Sequence, residues 1–253
     1  MQVTFLGTGT SMGVPIAGGY GRELMKGDPR DERYRCSAWV QHNNKSILID
    51  VGPEFRLQSL RSGLTEVDLL LLTHQHTDHI GGLDDLRPFN YIQKSEIPVI
   101  TTPECEKSIR RRFYYMFEPE KTPGSVDLSF QPQKESYNWF GLNIVPLPVY
   151  HGEMKVYGFR INDFSYITDV NYIPEETKEK IKGSKVMVLS GLRWDPKHPT
   201  HYTIPEAVEI ADELGVDQTW LVHMSVYVNH SETNKQLPSH VQLAYDQLSI
   251  TVD

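Results

Sequence analysis

Hydrophobic and polar positions along this chain alternate in short bursts rather than in long apolar blocks. Runs rich in Val, Ile, Leu, Phe and Tyr occur at 3–7 (VTFLG), 37–41 (SAWVQ), 45–52 (KSILIDVG), 67–73 (VDLLLLT) and 97–102 (IPVITT). They return at 142–149 (LNIVPLPV), 155–161 (KVYGFRI), 164–169 (FSYITD), 185–191 (KVMVLSG), 219–223 (TWLVH) and 248–253 (LSITVD). Their length and punctuation predict strands. Three segments carry helix signals instead. In 103–117, Pro103 stands at the first turn. In 203–215, Thr203 can cap, Ala207, Ile210, Ala211 and Leu214 share a face, and Gly215 ends the run. In 173–183 a proline again opens and a glycine closes. Strands dominate first and then alternate with helices, which predicts sheets covered by helices on their outer faces. Segments 12–34 and 118–140 read as long irregular stretches, of the kind that often border a site. With no internal repeat and no linker, residues 1–253 read as one domain.

Composition narrows the picture. The chain has 253 residues, 39% hydrophobic and 23% charged, ordinary for a globular protein with a real core. The start, MQVTFLGTGT, has neither a basic nor an apolar leader region, and no apolar run reaches the roughly 20 residues of a membrane helix. Cys36 and Cys105 alone cannot build a disulfide framework and fit a reducing compartment, so the expected location is cytoplasmic. The net charge of −8 argues against an extended nucleic-acid surface but allows a small anionic substrate near a metal. The one basic cluster, Arg110, Arg111 and Arg112, reads as a solvated helix face.

The chemistry concentrates in LLLLTHQHTDHIGG (69–82), which places His74, His76, Asp78 and His79 directly behind an apolar run. In an extended segment His74 and His76 point the same way and can reach one ion. Asp78 and His79 can serve a second. Imidazoles suit zinc, manganese or iron, and a carboxylate widens that choice.

This His-x-His-x-Asp-His spacing followed by Gly-Gly resembles the signature of the metallo-β-lactamase-fold hydrolases. The resemblance implies an α/β fold, an αββα four-layer sandwich, and extends along nearly the whole chain. Asp50 in ILIDVG matches a motif whose Asp braces the metal loop. His151 in PLPVYHGE, Asp169 in SYITDV and His223 in WLVHMS match later ligand motifs. The implied sites are His74, His76 and His151 for one ion and Asp78, His79 and His223 for the other, with Asp169 bridging. Two divalent cations, Zn²⁺ or Mn²⁺, about 3.5–4 Å apart generate hydroxide near neutral pH and hold both attacking and leaving oxygens of a displacement. The cofactor expectation is therefore two such ions, with Asp78 also central to catalysis.

The opening GTGTSMGVP misses the dinucleotide-binding G-x-G-x-x-G spacing by one residue, so a Rossmann reading is rejected. It resembles instead the branch of phosphonate-pathway phosphodiesterases that open phosphoribosyl 1,2-cyclic phosphate, and more distantly ribonuclease Z. In that branch a histidine between the fourth and fifth motifs protonates the leaving oxygen. His201 matches it best, with His198 the alternative, and Arg193 could steady a phosphate or simply pack by its stem. Relatives often bind a structural zinc through cysteines after the GVP turn. Here only Cys36 is present, so no structural zinc is expected and packing would shape the loop. Val222 and Val226 stand where relatives carry Thr and His, with His230 nearby in sequence.

The expected function is thus hydrolysis of a small, in one reading cyclic, phosphodiester through a metal-bridging hydroxide. A thioester or lactone hydrolase and a ribonuclease Z-like nuclease are the enzyme alternatives. The last is disfavoured by the acidic charge, and the long substrate-gripping arm of ribonuclease Z has no evident counterpart in this sequence. A non-catalytic metal-binding protein would be favoured by an incomplete ligand set, whereas all seven positions are filled. The partner expected is the phosphodiester substrate, with no membrane and no extended nucleic acid; relatives are often dimers, and the sequence leaves monomer and homodimer both open.

Overall fold

A computed structural model describes residues 1–118 and 124–253. The first sheet holds β1 (Gln2–Gly7), β2 (Ser37–His42), β3 (Lys45–Ile49), β4 (Leu69–Leu71), β5 (Ile97–Ile100) and β6 (Leu128–Phe130). The second holds β7 (Tyr137–Trp139), β8 (Leu142–His151), β9 (Met154–Ile161), β10 (Phe164–Ile167), β11 (Val186–Ser190), β12 (Gln218–Val222) and β13 (Val241–Leu243). The last strand, β14 (Ser249–Thr251), returns to the first sheet and pairs with β1. Each sheet is mixed. β3 to β6 run parallel, as do β10 to β13, while β1–β2–β3 and β7–β8–β9–β10 pair antiparallel.

Helices cover both outer faces. They are α1 (Phe55–Ser62), α2 (Thr77–Ile80), α3 (Arg87–Gln93) and α4 (Pro103–Arg112) on the first sheet, with α5 (Glu175–Ile181) and α6 (Ile204–Leu214) on the second. A short α7 (His230–Asn234) follows. The layering is visible within single strands. Ala38, Val40, Ile47 and Ile49 point into the layer between the sheets, while Trp39 and Leu48 point out beneath the helices. In β11, Val188 points in and Met187 and Leu189 point out. Burial on both faces explains why these strands are near-continuous apolar runs rather than alternating ones. The result is the αββα sandwich.

Several stretches differ from the sequence reading, which predicts none of α1, α2, α3, α7 or β13. The 118–140 segment is not wholly irregular, since it contributes β6 and β7, one at the edge of each sheet; residues 119–123 within it lie outside the described residues. α1 carries no helix signal in the sequence, because Leu57 and Leu60 stand exposed while Phe55 and Gln58 are buried and its apolar pattern has no helical period. Among the described residues no helix is long and apolar enough to cross a membrane.

A charge network holds the loop between β1 and β2. Arg33 is fully buried, its Nη2 donating to Asp31 Oδ1 (2.7 Å) and to the carbonyl of Val228 (2.9 Å). Asp31 also accepts from the backbone N–H of His230 and from Asn229 Nδ2, both at 2.7 Å. Gly21 packs so closely on Val226, with φ +84°, that an added Cβ would lie 1.9 Å from Val226 Cγ2. Burial opposes charge on both partners, pushing Asp31 up and Arg33 down. A lone partner left in this site has nothing to offset that cost. Asp31→Ala is therefore expected to destabilise the fold by ~3–5 kcal/mol, read as a lower urea midpoint, whereas Asp31→Leu combined with Arg33→Met should cost clearly less. Equal midpoints for the single and double variants would contradict this.

Candidate metal centre

Strand ends deliver the candidate residues to one edge of the sandwich. The segment after β4 carries His74 and His76 and turns into α2 with Asp78 and His79. Asp50 follows β3, His151 ends β8, Asp169 follows β10 and His223 follows β12. Asp50, Asp169 and His223 have φ of +59°, +52° and +60°. For non-glycine residues this left-handed backbone costs about 1–2 kcal/mol each, and such strain collects at functional sites. The Asp50 loop lies flush against the His/Asp loop: Val51 N–H donates to His79 O (2.8 Å), and a Cβ on Gly52 would meet Asp78 O at 2.3 Å.

Two side-chain clusters result. In one, His74, His76 and His151 each aim a ring nitrogen so that the three atoms lie within 4.8 Å of one another. Asp78, His79, Asp169 and His223 form the other under the same limit. His151, Asp169 and His201 make a third overlapping group, so that Asp169 and His151 link the two. Asp169 Oδ2 is 3.1 Å from His79 Nε2, and its Oδ1 is 3.1 Å from His223 Nε2. Asp78 Oδ2 stands 3.2 Å from His79 Nε2 and 3.8 Å from His223 Nε2.

Hydrogen bonds behind the rings fix which nitrogen faces inward. His79 Nδ1 meets Asp50 Oδ2 at 2.7 Å, and His151 Nδ1 donates to the carbonyl of Thr200 at 2.8 Å. Thr73 Oγ1 donates to Asp50 Oδ2 (2.8 Å) and so accepts from His74 Nδ1 (3.0 Å). Each leaves Nε2 directed at the cluster, the arrangement that orients histidine ligands. Asp50 thus braces two rings at once.

Charge makes the same point. Burial would favour a neutral His79, but Asp169, Asp50 and Asp78 surround it and raise its pKa well above the ordinary histidine value. Asp169, despite burial, is held well below the carboxylate range by His223 and His79. Asp78 is likewise lowered: burial pushes it up, and His79 and His223 together outweigh that. Burial and the neighbouring His79 push His74 well down, and burial with His151 lowers His76.

His201 lies over this cluster, its ring stacked 4.7 Å from that of His223 and its Nδ1 3.7 Å from Asp169 Oδ1. His198 is one ring further out, 5.0 Å from His201, with Nδ1 accepting from Thr200 Oγ1 at 3.2 Å. Arg193 commits Nε to the carbonyl of Pro196 (2.9 Å). Val222 is in the layer between the sheets, and Val226 packs with Val14 and Met25. His230 stacks edge-on with Tyr245 at 5.5 Å and bonds Asn234 at 2.9 Å, forming part of the loop anchor and of none of the three clusters. The braces Thr73 and Thr200 carried no sequence signal, since one acts from beside a ligand and the other through its carbonyl.

These residues fit divalent cations. His79 Nε2 and both ring nitrogens of His223 are buried without a hydrogen-bond partner, and His74 Nε2 faces His76 Nδ1 at 3.0 Å. Buried lone pairs so arranged repel unless a cation or proton lies between them, and a set of imidazoles with carboxylates suits zinc or manganese.

Fold and site together define a metal-dependent hydrolase of the metallo-β-lactamase fold. The profile of the beta-lactamase superfamily domain matches residues 45–224, and the chain belongs to that superfamily. Within it, the chain superposes on a solved diphosphatase of the PhnP family with a TM-score of 0.91 and 38% identity, covering 100% of this chain and 98% of that one. That likeness makes it a member of the PhnP family. It is also 35% identical over 257 residues to an octanoyltransferase of Porphyromonas gingivalis, covering 100% of this chain but only 52% of that protein, about half its length. A ribonuclease Z of Methanopyrus kandleri is 25% identical over 264 residues, covering 88% of this chain and 94% of that protein.

Proposed function

We propose that this protein is a dinuclear-metal phosphodiesterase acting on a small phosphodiester or related phosphoric anhydride. The observation that carries the reading is the pair of clusters linked by His151 and Asp169. His74, His76 and His151 would hold one ion, Asp78, His79 and His223 the other, and Asp169 both. Ions so held supply an activated water near neutral pH and positive charge for the phosphoryl oxygens. A diphosphatase of the PhnP family at 38% identity supports a phosphorus centre as target.

The chain's own residues then have distinct tasks. Asp50, Thr73 and the Thr200 carbonyl keep the imidazoles oriented. His201 is positioned to hold a proton toward the leaving oxygen. Burial and the His223 ring lower its pKa to about 3 in the absence of ions and substrate. An anionic phosphoryl group beside it is the charge that favours the protonated ring. His198 sits too far out to share Asp169.

Acyl thioester hydrolysis is the second reading, favoured by one observation: the Porphyromonas protein that contains a full-length counterpart of this chain is an octanoyltransferase. The two readings separate on a substrate panel. Protein loaded with zinc or manganese is expected to hydrolyse bis-p-nitrophenyl phosphate and a ribose 1,2-cyclic phosphate while leaving octanoyl thioesters and lactones intact. Turnover of the thioester with silent diesters would replace the first reading by the second.

A further inference from the structure

The three consecutive arginines at the end of α4 are all exposed, as a solvated face requires, but each makes different contacts. Arg110 pairs with Glu106 (2.8 Å) and lies over the rings of Phe117 and Phe130, at 4.7 and 5.0 Å. Arg111 is exposed. Arg112 does something else. Its Nη1 donates to the carbonyl of Gln75 and its Nη2 to Thr77 Oγ1, both at 2.8 Å.

Those two acceptors flank His76 and lead into Asp78. Among the described residues the Gln75 side chain makes one hydrogen bond, from Nε2 to Met154 Sδ at 3.1 Å. α4 itself is firmly seated. Thr102 caps it by accepting from the backbone N–H of Cys105 (3.1 Å), and Cys105 and Ile109 are buried beneath it. A planar fork that spans two acceptors sets both distance and direction, which a lysine ammonium on a flexible stem does not.

We propose that Arg112 is a positioning residue for the metal loop, transmitting the rigid frame of α4 to His76 and Asp78. This rests on the reading of the two clusters as a dinuclear metal centre. A brace behind ligands acts first on affinity, and losing one weakens metal binding by ~10–100-fold.

The test is titration of metal-stripped protein with zinc against a chromophoric chelator, for the wild type, Arg112→Met, Arg112→Lys, Thr77→Val and the Arg112→Met/Thr77→Val double variant. Arg111→Met serves as the control for lost surface charge. The expected result is about a tenfold weaker affinity for at least one of the two ions in Arg112→Met. Arg112→Lys should fail to restore it, Thr77→Val should lose part of it, and the double variant should be no worse than Arg112→Met alone. The proposal is overturned if Arg112→Met and Thr77→Val bind zinc like the wild type, if Arg111→Met weakens binding equally, or if lysine rescues fully. Should Arg112→Met not fold, Thr77→Val carries the test alone. A wild type that binds no zinc would instead overturn the metal reading itself, and this proposal with it.

Discussion

Asp78→Ala is expected to abolish turnover, by at least ~10³-fold, while the protein stays folded. Asp78 Oδ2 faces both His79 and His223 across 3.2 and 3.8 Å, and no other carboxylate in the Asp78/His79/Asp169/His223 cluster can take its place except Asp169, which is shared. On the proposed dinuclear reading, removing it would leave one ion short of a ligand and withdraw several kcal/mol of charge stabilisation from the transition state, which corresponds to three or more decades of rate. The fold has little stake in this side chain, because the apolar layers around the loop are built by Leu69–Leu72 and Ile80. Steady-state rates on bis-p-nitrophenyl phosphate, beside a far-UV spectrum and melting curve, check both halves. Wild-type turnover in a folded variant would refute the assignment.

His201→Ala should show a loss that depends on the leaving group. A positioned general acid contributes ~10²–10⁴-fold where the departing oxygen needs a proton. An alkoxide such as a ribose hydroxyl needs it; p-nitrophenolate, already stable near neutral pH, hardly does. The position of His201, stacked on His223 with Nδ1 facing Asp169, places the ring beside the candidate ligands without making it necessary to the Asp78 cluster. The comparison is kcat/KM for an alkyl and a p-nitrophenyl diester in both proteins. Equal losses on the two substrates would remove the role of acid and leave His201 as a further ligand.

How legible these features were in the sequence follows from how local they are. His74, His76, Asp78 and His79 occupy six consecutive positions, and the one strand and turn that carry them fix their geometry. Asp50, His151, Asp169 and His223 are legible as matches to the other motifs of the family they resemble, since a lone His or Asp after an apolar run is a weak signal by itself. The supports were not readable. Thr200 acts through a backbone carbonyl 49 residues from His151, and Arg112 reaches back 37 residues to Gln75. Asp31 and His230, which anchor the loop between β1 and β2, are separated by 199 positions. Such contacts depend on the packing of α4, α6 and α7 against the sheets rather than on any pattern within them. β6 and β7 escaped notice for another reason. They are three-residue edge strands, too short for an alternation to show.

The most direct test of the central claim is to add zinc or manganese in steps to metal-stripped protein and follow diester hydrolysis and bound metal together. Turnover that rises only as the second equivalent per chain binds, and is lost in Asp169→Asn together with tight binding of that ion, is the predicted result. Full turnover at one equivalent, or turnover that survives complete removal of metal, would contradict it.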